Sequence, residues 1–215
     1  MTDIKLEPLD LAALLCSRVC HDVISPVGAI VNGLEIMDLE KDEVMRADAL
    51  RLVRESASRA SSRLQFARIA FGAGGSAGAS IDLAAAQAVA RAYFEGEKST
   101  LVWDAPRMFL PKNKVKLLLN LLLLASHAIP RGGSIRVSVE GAEAANAIAV
   151  TATGPNARIP PHSAELLGGV SMSGTIDAHA VQPYYAGLVA RAAGMRASVS
   201  MDGETVKFEA TTARL

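Results

Sequence analysis

Apolar residues recur every three or four positions through the first part of the chain: Leu6, Leu9, Ala13, Cys16, Cys20, Val23, Val27, Ile30, Leu34 and Met37. That spacing is the a/d seam of a helix packed in a bundle or coiled coil. After the polar stretch from Asp38 to Glu43 a second seam runs through Leu50, Val53, Ala57, Ala60, Leu64, Ala67 and Phe71. Two seamed helices joined by a short polar turn predict a helical hairpin. One hairpin cannot cover both stripes. The pattern therefore predicts a homodimer in which two hairpins form a four-helix bundle, with a monomeric hairpin packed on the rest of its own chain as the alternative.

The pattern breaks at Gly72 to Ser80, a stretch holding four glycines in nine residues. It reads as a flexible linker. The expected division is a hairpin domain over residues 1–74 and a second domain over 75–215. Beyond the linker, Ile81 to Glu95 reads as a helix and Ser99 to Asp104 as a strand. Lys112 to Ile129 is a long apolar helix stopped by Pro130 and Gly132-Gly133. Ile135 to Glu140 and Ala147 to Thr153 read as strands, and Ala178 to Ala193 as a helix whose start Pro183 blurs. Arg196 to Asp202 and Thr205 to Thr211 flank Asp202-Gly203, a hairpin signal. Helices interleaved with largely antiparallel strands predict an α/β sandwich, and the whole chain is expected to be α+β.

Composition narrows the function classes. Half of the 215 residues are apolar, which excludes global disorder. Basic and acidic side chains, 22 of each, cancel, which argues against a nucleic-acid partner. With only 4% aromatic residues, the core must be built from Leu, Val, Ile and Ala. The start, MTDIKLEPLD, lacks a basic-then-apolar secretory pattern. The run from Val115 to Ile129 falls short of the ~20 residues a membrane span needs, so no membrane association is expected. Cys16 and Cys20 lie at helical spacing rather than in a disulfide framework, and the cytoplasm is the expected compartment.

Chemistry concentrates around one histidine, in Cys20-His21-Asp22-Val23-Ile24-Ser25-Pro26-Val27. With Cys20 at an a position and Val23 at d, His21 falls at b and points out of the bundle. An exposed imidazole can act as a nucleophile, and Asp22 beside it can orient the ring or hold its proton. Pro26 removes one helical backbone bond just after the histidine. Gly28, one heptad on, strips the same face of bulk so that another protein can approach. The bland alternative is a solvated surface histidine. A metal site from Cys16, Cys20 and His21 is geometrically awkward, because the cysteines lie on the seam and the histidine does not.

The run His21 to Val27 resembles the H-box of two-component histidine kinases: His, acidic, two variable residues, Thr or Asn, Pro, Leu. The second half resembles that family's ATP-binding domain in a degenerate form. Asn120 to Ala125, followed by Pro130-Arg131-Gly132-Gly133, looks like the N-box helix and its turn. The second asparagine, associated with Mg²⁺, falls on Leu124, and the basic residue near the nucleotide falls on His127. Val150 to Asn156 looks like the next box with Ala152 in place of the adenine-binding aspartate, and Gln182 to Gly187 lacks the Gly-X-Gly lid. Adenine recognition needs a carboxylate to accept the exocyclic amine, and triphosphate binding needs Mg²⁺ ligands. The combination is similar to the ChpT-type histidine phosphotransferases of bacterial phosphorelays.

That resemblance implies a homodimer that binds no ATP and no cofactor of its own, with Mg²⁺ expected on the partner's receiver domain. It implies phosphoryl transfer through His21, assisted by Asp22, from the receiver domain of a CckA-like hybrid histidine kinase to CtrA-like and CpdR-like response regulators. Helical phase supplies a docking face: Ile24 and Val31 at e positions, with Ser25, Gly28, Asn32 and Glu35 nearby. Ile24 and Val31 could instead widen the bundle core. Arg46, Arg51, Arg54, Arg59, Arg63 and Arg68 on the second helix read as a solvated face or as attraction for acidic receivers. His127 reads as a satisfied core or edge residue, and Trp103 as filling between sheet and helix. His162 and His179 receive no role. A functional histidine kinase and a non-catalytic receiver-binding module are the competing readings.

Overall fold

A computed structural model describes residues 2–3, 6–72, 79–141, 145–171, 176 and 180–213. The hairpin is present: α1 (Pro8–Leu39) and α2 (Glu43–Ala70). Pro8 begins α1, where its fixed φ suits the first helical turn and its missing N–H costs nothing. Asp42 caps α2 by accepting from the backbone N–H groups of Val44 and Met45 at 2.8 and 3.2 Å. Arg46 reaches back to the carbonyls of Met37 and Glu40, satisfying acceptors at the end of α1.

The helices meet closely at Gly33, where a Cβ would lie 2.6 Å from the Val53 side chain and 3.2 Å from the Ala49 carbonyl. The expected seam divides, with Val23, Ile30 and Met37 half-buried. Within α1 the hairpin buries Pro26 and Gly33, one position away from Val27 and Leu34, which stay exposed along with Leu9, Cys16 and Cys20. The partner helix sets the phase, because only the Gly33 face lets two backbones come this near.

The α/β half opens with β2 (Ser80–Asp82), antiparallel to β4 (Phe109–Pro111). The helix expected from Ile81 starts only at Leu83: α3 runs Leu83–Phe94, and Asp82 accepts from Ala84 N–H at 2.9 Å as its N-cap. The main sheet has the order β3-β5-β6-β9-β8, from β3 (Ser99–Asp104), β5 (Gly133–Glu140), β6 (Ala147–Thr153), β8 (Met195–Asp202) and β9 (Thr205–Thr212). Only β3 and β5 are parallel, their crossover running through β4 and α4 (Lys112–Ala128). Alternate residues of three central strands form its buried face: Val137 opposite Val150, and Val150 opposite Phe208.

Helices α4 and α6 (Val181–Ala192) cover that face. From Leu117 through Ala125 every residue of α4 is buried, as expected of a helix apolar on all sides. A short α5 (Ser163–Leu167) precedes β7 (Val170–Ser171), which pairs with β1 (Thr2–Asp3). Trp103 is half-buried against the core.

The hairpin is rooted in this second layer at two places. Phe66 and Ala70 of α2 belong to the main core, and the Phe66 ring lies 4.5 Å from that of Tyr93. At the start of the chain, Leu6 and Leu11 pack on Leu166 and Tyr184, and Leu6 N–H donates to the Tyr184 hydroxyl at 3.1 Å. The expected boundary at residue 74, most of the glycine-rich linker, the start of the helix expected from Ala178, and His179 lie outside the described residues.

Candidate functional site

His21 sits at the middle of α1, and 84% of its side chain is exposed. Its Nδ1 lies 3.5 Å from Oδ1 of Asp22, so Nδ1–H can face the carboxylate and leave Nε2 outward with its lone pair. The other carboxylate oxygen of Asp22 accepts from Nε of Arg18 at 3.2 Å, one helical turn back. Nη2 of Arg18 donates to Nε2 of His127 at 3.3 Å. An unbroken line of polar contacts therefore runs from the exposed imidazole to the end of α4.

Pro26 shapes the backbone beneath this pair. In a regular helix the N–H of residue 26 would donate to the carbonyl of Asp22, but proline has none. Nη1 of Arg63 donates to that carbonyl at 2.6 Å, and Nη2 of the same guanidinium donates to Glu97 at 3.2 Å. Tyr93 closes the space behind. Burial pushes its phenol up to about 12, and the neighbouring Asp22 carboxylate adds to the rise.

A cleft of about 560 Å³ opens beside His21, between α1 and the α/β half. Arg18 and Asp22 form one wall; Leu124, His127, Arg158 and His162 contribute to the other. His127 is exposed on the cleft side of α4, at the edge rather than in the core, the second of the two places its reading allowed. His162 Nδ1 contacts Glu165 at 2.7 Å. The site aligned with the N-box is wired into the scaffold: Asn120 is fully buried, donating to the carbonyls of Ala70 and Lys116 and accepting from Gln182 at 2.7 Å. Ala152 is buried in β6.

The residues of the expected docking face, Ile24, Ser25, Gly28, Val31, Asn32 and Glu35, are all exposed. Ile24 is 70% and Val31 49% exposed, so neither widens the core of its own hairpin. The arginine row divides. Arg63 is held inside by its bonds, Arg46 caps α1, and Arg51 pairs with Asp48 and Glu55, while Arg54, Arg59 and Arg68 remain exposed. Arg18 escapes the sequence reading, and so do the bonds made by Arg63 and His127. The i,i+4 spacing of Arg18 and Asp22 was the available signal for the first; nothing local marks the other two.

Among the described residues no cluster of three or more His, Cys, Asp or Glu side chains could hold a metal ion. By length and composition α1 is also apolar enough to cross a membrane. In this fold its charged middle, Arg18 and Asp22, bonds to α4 and α2 instead.

Comparison with known proteins agrees with this architecture. Residues 83–205 match the family described as histidine phosphotransferase C-terminal domain. A protein phosphotransferase ChpT from Brucella abortus (strain 2308) is 52% identical over 207 residues, covering 96% of this chain and 98% of its own. A solved structure of a bacterial phosphotransferase superposes with a TM-score of 0.87 at 48% identity, covering 98% of this chain and all of the other. The chain belongs to the ChpT-like histidine phosphotransferase family.

Proposed function

We propose that this protein carries phosphoryl groups between receiver domains as a phosphohistidine on His21. Nε2 of His21 attacks the phosphorus of a receiver aspartyl phosphate. The N–P bond forms as the P–O bond to the aspartate breaks, and the carboxylate leaves. A second receiver's aspartate reverses the step. Asp22 accepts from Nδ1–H, which holds the tautomer with Nε2 free and stabilises charge on the ring as the bond forms. Positioning and neutralisation of the phosphoryl group fall largely to the receiver and the divalent cation expected on it.

The observation that carries this reading is the exposure of His21 beside a carboxylate that is itself fixed by an arginine. The exposed Ile24 and Val31 supply an apolar footing below it for a partner helix. Val27 and Leu34 form a stripe that suits a second copy of the hairpin, giving a homodimeric four-helix bundle. That pairing also accounts for the apolar character of α1 without a membrane, in keeping with a cytoplasmic protein. Asn120, spent on bonds within the scaffold, favours transfer without ATP over an autophosphorylating kinase. The partners that fit are the receiver domain of a CckA-like hybrid kinase as donor and CtrA-like and CpdR-like regulators as acceptors.

The test is label transfer from a phosphorylated receiver domain without ATP. Acid-labile phosphate is expected on the wild-type chain and none on His21→Ala. A His21→Ala protein that still binds the receiver and still takes label would remove His21 from the reaction. Binding without label on either protein would leave a receiver-binding module.

A further inference from the structure

Asp22 is gripped twice, and both grips lead into the α/β half. Its carbonyl, deprived of a helical donor by Pro26, accepts from Arg63 at 2.6 Å, and Arg63 is tied to Glu97. Its carboxylate accepts from Arg18 at 3.2 Å, and Arg18 is tied to His127. Side-chain exposures of 22% for Arg63 and 14% for Arg18 set both guanidiniums apart from solvated surface charges. A charged donor to a largely buried acceptor is among the stronger hydrogen bonds, and its loss leaves the acceptor unsatisfied.

We infer that Arg63 and Arg18 are positioning residues for the His21–Asp22 pair: Arg63 replaces the backbone donor that Pro26 deletes, and Arg18 aims the carboxylate. Glu97 and His127 anchor the two arginines, so the α/β half sets the reactive turn of α1. The inference rests on His21 being the phosphoacceptor. Pro26, one turn below, opens the helix at the carbonyl of Asp22 itself, and a turn with that bond missing would fray. Arg63 closes it from outside the helix, fixing the turn to α2 and to the loop carrying Glu97 at once.

The arrangement makes a specific demand: Arg63 matters because residue 26 is proline. In Pro26→Ala, residue 26 regains an N–H able to donate to the Asp22 carbonyl, and Arg63 becomes largely redundant there. The experiment compares Arg63→Met and Arg63→Lys in both backgrounds, measuring label acceptance from a phosphorylated receiver over a range of receiver concentrations. Arg63→Met should lower the maximal rate about tenfold, as loss of one charged hydrogen bond would. The half-saturating receiver concentration should stay unchanged, and Arg63→Lys should retain more of the rate because it keeps one donor. In the Pro26→Ala background the Arg63→Met loss should shrink to about twofold or less, the residue of a bond whose acceptor has another donor. Arg18→Met should likewise lower the maximal rate rather than the receiver affinity.

A second arm uses phosphoramidate, which phosphorylates imidazole without a receiver: the ring nitrogen attacks phosphorus, the P–N bond breaks, and ammonia leaves with the proton. The same dependence on Pro26 is expected there. Equal Arg63→Met losses in both backgrounds, or losses confined to receiver affinity, would overturn the inference. Phosphorylation of His21 by phosphoramidate but by no receiver would instead overturn the phosphorelay reading, with the positioning role still decided by this arm.

Discussion

Helices α1 and α4 both look like apolar helices in the sequence, and they use that character in opposite ways. α4 is enclosed by the sheet, α2, α3 and α6, and its apolar residues face only this chain. α1 touches chiefly α2, buries Pro26 and Gly33, and leaves Leu9, Ile24, Val27, Val31 and Leu34 in the open. Each carries a histidine near the cleft: that of α1 contacts Asp22 with 84% of its side chain exposed, and that of α4 is bonded by Arg18. An apolar stripe shows that a face will be covered but not by which molecule. The α/β half spends its stripes on itself. The hairpin leaves part of its own exposed on the single chain.

Substitutions on the two helices should therefore fail in different ways. Leu118→Ala should cost about 2–5 kcal/mol of folding stability, independent of protein concentration, in urea denaturation. A cost under about 1 kcal/mol would mean that α4 is less tightly enclosed than its burial indicates. Leu34→Asp should leave the α/β half folded by circular dichroism while sedimentation shifts the protein from dimer to monomer. A dimer that survives this change would place the second copy elsewhere. Ile24→Asp should preserve the dimer and slow receiver transfer roughly tenfold, as expected for losing a well-placed interface contact. Dissociation by Ile24→Asp would assign that residue to the bundle.

The smallest effect concerns the wall between the two halves. The Tyr93 phenol, ordinarily near 10.0, is pushed up to about 12 by burial and then by Asp22. The folded protein keeps that proton at a pH where the unfolded chain loses it. Its stabilising contribution is fully present below about pH 10 and is lost as the pH rises toward 12. Tyr93→Phe should make stability decline less steeply between those values, by about 1–2 kcal/mol at the alkaline end. Urea midpoints at about pH 9 and about pH 11, on either side of the ordinary phenol value, measure it. An unchanged slope would show that Tyr93 is not shielded from solvent.

The hairpin, most of the strands and the exposure of His21 were legible in the sequence, because local periodicity and breakers determine them. What escaped depends on distant partners. Gly33 carries the close approach to Ala49 and Val53, a contact that apolar periodicity does not mark. Asp82, which can open a helix or end a strand, does both, so the helix started later than expected. Pro26 announced an unpaired carbonyl at Asp22, but only the folded chain reveals that Arg63, 41 positions away, supplies the donor. His127 lies at the one face of α4 that the core leaves open, and nothing near it in sequence distinguishes that face.

The burial of Asn120 makes its position hard to change. Its amide connects α4 to the end of α2 and to Gln182 on α6, so exchanging it disturbs three elements at once. A carboxylate introduced at position 152 would land inside the sheet's packed face, desolvated and with no ready counter-charge. A substitution at either position would therefore weaken the fold, whatever chemistry the new side chain brings. Both residues are held from several sides at once, as a keystone is held by its arch.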